Sequence, residues 1–103
     1  MRELVEILGS RRIVAVLSGA KSVREVTAWM NDVEPSAASE NVLRTAFQAA
    51  RVIAEIKGTA TARAWFMGTN SHFGFEAPVI VLRDRSESAC PDVLDAAWYF
   101  LNG

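Results

Sequence analysis

The sequence predicts an all-α chain of about seven short helices, with a helix-turn-helix-like bundle at the N-terminal end and a small helical unit at the C-terminal end. Three observations predict this class. Cap residues recur along the chain: Ser10, Ser22 and Thr59 can open helices, and Gly9, Gly19, Gly58 and Gly68 can close them. Val42, Leu43, Ala46, Phe47, Ala50, Ile53 and Ala54 fall on one stripe at helical spacing, opposite the polar Arg44, Gln48, Arg51 and Glu55. No strand-helix-strand alternation of the kind that builds a parallel sheet is present.

The elements follow in order. Leu4, Val5, Ile7 and Leu8 share one face of a first helix that Gly9 closes. Ser10 caps a second helix from Arg11 to Leu17, although its run IVAVL is β-branched and also fits a strand. Gly19 lies in the turn. Ser22 and Glu25 form an S-x-x-E capping box that opens a third helix from Val23 to about Asn31. Val23, Val26 and Met30 lie on one face of it, with Trp29 at the edge. The loop Asn31 to Pro35 leads to the long helix from Ala37 to Lys57, which Gly58 stops. Thr59 caps a fifth helix through Met67. The loop from Thr69 to Glu76 carries two aromatic residues, Phe73 and Phe75. Pro78 suits the first position of a helix through about Arg83, and here too the run VIVL reads equally as a strand. A polar loop from Asp84 to Ser88 precedes a last helix, Pro91 to Leu101, expected to bury Val93, Leu94, Ala97, Trp98 and Leu101.

Composition narrows the function. A chain of 103 residues makes one domain, or two small units that share a core, here divided as 1–57 and 58–103. The net charge of −1 excludes bulk attraction to nucleic acid or acidic membrane as the organising feature. The first unit, with eight basic and seven acidic side chains, is nonetheless the better place to meet phosphate, because the second has three and five. One cysteine, Cys90, allows no internal disulfide, and one histidine, His72, allows no multi-histidine metal site. Asp92 and Asp95 suit the start of a helix rather than acid-base work. No nucleophile, base and pocket come together, so the expectation is a protein that is not an enzyme and needs no cofactor. No apolar run reaches the roughly 20 residues of a membrane span. The charged N-terminus does not read as a signal peptide, and a reduced, cytoplasmic, soluble protein is expected.

Ala15 and Gly19 have the spacing of a helix-turn-helix unit, in which a small residue lets two helices cross closely and a glycine permits the turn. Val26 and Trp29 supply buried positions for its last helix. Arg11, Arg12, Lys21 and Arg24 would then meet phosphates, while Ser22, Arg24, Glu25 and Thr27 would face base edges. An ordinary helix hairpin with a solvated charged face has the same spacing.

Beyond spacing, LVEILGSRRIVAVLSG through REVTAWMN, followed by Pro35 and the long helix, resembles the Xre-like region of Xre/MbcA/ParS-type antitoxins. TARAWFMGTNSHFGFEAPVIVLRD resembles the toxin-binding region of the same family, through Trp65 and Phe66, Asn70, Phe73 and Gly74, Pro78 and Leu82. Two departures stand out: a clean Pro-Asn is absent, since Thr69 precedes Asn70, and the interval from Gly19 to Trp29 is long. The resemblance implies an antitoxin that binds and occludes a RES-domain toxin acting on NAD and often represses its own operon. It places toxin contact at Asn70, Phe73, Gly74, Phe75, Pro78 and Leu82, and on the last helix at Tyr99. Trp65 reads more readily as core than as contact surface. The composition is apolar for a chain whose short helices leave limited interior, so some aromatic surface is expected to stay exposed in a monomer and to favour a homodimer or larger assembly. A free-standing Xre-like transcription regulator whose C-terminal half only dimerises is the competing reading.

Overall fold

Two serines and four glycines set helix limits in the computed structural model, which describes all 103 residues. The elements are α1 (Arg2–Leu8), α2 (Arg11–Ser18), α3 (Val23–Met30), α4 (Ala37–Lys57), α5 (Thr59–Met67), α6 (Pro78–Arg85) and α7 (Cys90–Asn102), with 3₁₀ turns at Ser71–Phe73 and Ser86–Ala89. No strand forms, and no helix is long and apolar enough to cross a membrane.

Both strand-like runs are helical. In α2 the Ser10 hydroxyl accepts a hydrogen bond from the Arg12 N–H at 3.0 Å. At the other end Gly19, at φ 75°, donates to the Val16 carbonyl while Ala20 donates to that of Ala15. These two bonds satisfy carbonyls the helix leaves free, and the left-handed conformation they need is one glycine adopts without strain. Val14, Ala15 and Leu17 are buried as a result. In α6, Pro78 occupies the first turn, and Val79, Val81 and Leu82 are all buried. Tertiary burial on several sides outweighs the weak strand preference of these residues.

Local chemistry corrects three expectations. The Ser22 side chain makes no cap hydrogen bond; Glu25 reaches back instead to the Lys21 N–H, at 3.1 Å. Thr59 is the first residue of α5 rather than its cap. The cap is Gly58, whose φ of 96° and ψ of 157° turn the chain from α4 into α5 within one residue. The segment Asp84 to Ser88 is not an open loop. α6 continues to Arg85, and Arg85 then donates to the Ser88 carbonyl at 3.2 Å and to Asp92 at 2.7 Å, which folds the link into α7.

α4 is the spine. It packs against α1, α2, α5 and α7, and α2 packs in turn against α6. The apolar core therefore runs continuously from Leu4 and Leu8 through Ala46, Ala50 and Ile53 to Phe66, Leu82 and Val93. Arg63 ties the first helix to the fifth by donating to the carbonyls of Ile7, at 2.8 Å, and Glu6, at 3.0 Å. α7 buries Val93, Ala96 and Ala97 against this core. Contrary to expectation, Trp98 is 63% exposed and Leu94 is 37% exposed, because the small Ala96 and Ala97 set the face that meets α4 and turn both larger residues to its edge.

Candidate functional site

Two surfaces bear on function, one at each end of the chain. At the N-terminal end Ala15 and Val26 are buried where α2 meets α3, and Trp29 is half-buried beside them. Arg11, Arg12, Lys21, Ser22 and Arg24 are exposed, while Glu25 and Thr27 are half-buried. None of the four cations is in an ion pair, since the pairs of this chain join Arg44 to Glu40, Arg51 to Glu55, Arg83 to Asp84 and Arg85 to Asp92. Glu25 is held by the Lys21 N–H. Thr27 donates to the Val23 carbonyl and accepts from Arg11 at 3.4 Å. Of the residues expected to face bases, Ser22 and Arg24 remain without a side-chain partner in the chain, and Glu25 and Thr27 are engaged in holding α3.

At the C-terminal end, a groove of about 740 Å³ opens between α5, the Ser71–Phe73 turn and α7. Its principal walls are Trp65, Asn70, His72, Ala96, Tyr99 and Phe100. The turn is built locally. The Asn70 side chain accepts from the His72 N–H at 2.9 Å, and its backbone carbonyl accepts from the N–H groups of Phe73 and Phe75. An isolated antiparallel bridge between Asn70 and Glu76 closes the loop. Gly74 and Phe75 both take left-handed conformations there, with φ of 62° and 70°. The Phe75 ring projects from this turn, 70% exposed. A bulky residue in that backbone region stores strain of order 1–3 kcal/mol, and such strain concentrates at functional loops.

Trp65 forms the floor. Its ring meets Phe66 edge-on at 5.0 Å and Phe100 at 6.4 Å, and the residue is only 8% exposed. Its indole N–H is the one buried side-chain polar atom of the chain without a hydrogen-bond partner. That atom has essentially no exposed surface, so it lies within the packing of the chain itself, and the groove meets only the ring of Trp65. Tyr99, 73% exposed, and the partly exposed Phe100 stand beside it. The groove has no lysine, arginine, aspartate or glutamate in its lining and so suits an uncharged, partly apolar partner surface.

The residues expected to contact a toxin divide accordingly. Asn70 and Tyr99 line the groove, and Gly74 and Phe75 lie exposed on the adjoining loop. Phe73 is half-buried against the core. Pro78 and Leu82 are buried within the chain and offer no contact surface; they anchor α6 beneath the loop. Sequence reasoning missed Phe100, His72 and the unsatisfied Trp65 N–H. The signal for the first was present: three aromatics in a row, Trp98, Tyr99 and Phe100, cannot share one face of a helix. No family model, curated protein or solved structure matches this chain.

Proposed function

We propose that this chain is the antitoxin of a toxin-antitoxin pair, a cytoplasmic protein that binds and occludes a RES-domain, NAD-consuming toxin and represses its own operon. The observation that carries the reading is the aromatic groove floored by Trp65 and bordered by the exposed Tyr99 and Phe75. Exposed aromatic rings beside an apolar groove are what an interface hot spot needs. The kind of partner comes from the family resemblance of the sequence. The four unpaired cations around α2 and α3 support the DNA-binding part, and they equally support a free-standing regulator.

Co-expression with a RES-domain toxin separates the two. An antitoxin restores growth and co-purifies with the toxin. Tyr99→Ala removes an exposed ring at the edge of the groove, so it should weaken the complex at least about tenfold while leaving the helical spectrum unchanged. A chain that binds its upstream DNA but neither protects against nor retains the toxin is the regulator instead.

A further inference from the structure

α7 has a second flank, away from the groove just described. It runs alongside α4 in the same chain direction. Cys90 lies against the Asn41 carbonyl, its Sγ at 3.8 Å, and Leu94, Ala97 and Trp98 lie further along against Gln48, Ala49 and Val52. Between the two helices those residues leave a hollow of about 350 Å³. Trp98 forms one wall of the hollow and projects from it. Ile56, 59% exposed, follows Val52 by four residues and carries the apolar face one turn further along α4.

We propose that a second copy of this chain docks on this face about a two-fold axis, with Trp98 of each copy seated in the α4–α7 hollow of the other. A two-fold interface must be complementary to itself, because the same patch serves both copies. A projecting ring directly beside a hollow meets that condition; an unrelated partner would call for only one of the two. Charge agrees. Asp95 is the only charged side chain lining the hollow and has no ion pair within its own chain. Arg51 lies three residues beyond Gln48, at the solvent edge of α4, in an exposed pair with Glu55 that can be exchanged. The axis thus offers each Asp95 the partner's Arg51, around a centre that is otherwise uncharged, as interface centres are. The dimer leaves Tyr99, Trp65 and the α2–α3 cations free. It goes beyond the proposed function and stands whether or not the chain meets a toxin.

Sedimentation equilibrium of the full chain across micromolar concentrations tests it. The wild type should sediment at twice 11.3 kDa. Trp98→Ala should raise the dissociation constant at least about a hundredfold, because it removes a ring from both sides of the axis. Trp98 is exposed in the single chain, so the variant keeps its helical spectrum. Leu94→Arg, at the other rim of the hollow, should act likewise, and Tyr99→Ala, on the opposite flank of α7, should leave the mass unchanged. A wild type of 11.3 kDa at every concentration overturns the proposal. So does a dimer that survives both Trp98→Ala and Leu94→Arg, or one that only Tyr99→Ala dissociates.

Discussion

Arg63 reaches from α5 to the last carbonyls of α1, where it meets both unsatisfied acceptors and the negative end of the helix dipole. Arg63→Ala should cost about 1 kcal/mol, read as a lower urea midpoint at unchanged slope. Arg63→Lys should recover only part of that, since an ammonium lacks the planar fork that serves two carbonyls at once. Nothing in the sequence marks this contact, because it joins residues 56 and 57 positions apart. Trp98 shows a different limit. α7 is apolar nearly all round, and Leu94, Trp98 and Leu101 have a helical spacing as regular as that of Val93, Ala96 and Ala97. Only packing against α4 decides between the two stripes, and it selects the small residues, which allow closer approach. Pro78 and Leu82 were readable by their order along the chain, but order does not reveal burial.

The helices themselves were largely legible, because their ends are written in caps that act locally: Ser10, Gly9, Gly19, Gly58 and Pro78 all lie at element limits. What the local code left open were α2 and α6, whose β-branched runs take their final form from burial, α2 on α4 and α6, and α6 on α2 and α5. The turn from α4 into α5 carries a sharp test. A side chain added at Gly58 would meet no atom within 4 Å, so any cost is that of its backbone, at φ 96°. Gly58→Ala should therefore destabilise by about 1–3 kcal/mol. The melting temperature should fall by roughly 5–15 °C. Gly68, with a negative φ of −89°, carries no such penalty from its backbone conformation.

At the scale of the molecule, one core joins both ends of the chain through α4 and through the α2–α6 contact. Unfolding should be a single transition by circular dichroism and by fluorescence of the three tryptophans. A fragment of residues 58–103, deprived of α4 and α2, should show little stable helix. The cation surface makes its own prediction at this scale. Four unpaired cations on each of two copies can neutralise at most about eight phosphates, so binding to upstream DNA should weaken with salt at a log–log slope no steeper than about −7. Arg24→Ala and Lys21→Ala each remove one cation from both copies and should make that slope shallower by close to two. The proposal that the aromatic groove between α5 and α7 receives a toxin is tested by calorimetric titration of the full chain with a RES-domain toxin. The titration should give a saturable complex that the double change Phe75→Ala, Tyr99→Ala weakens at least about a hundredfold, since burying each exposed ring contributes roughly 1.5–3 kcal/mol and neither is part of the core. Wild-type affinity in the double variant, or no binding by the wild type, would contradict it.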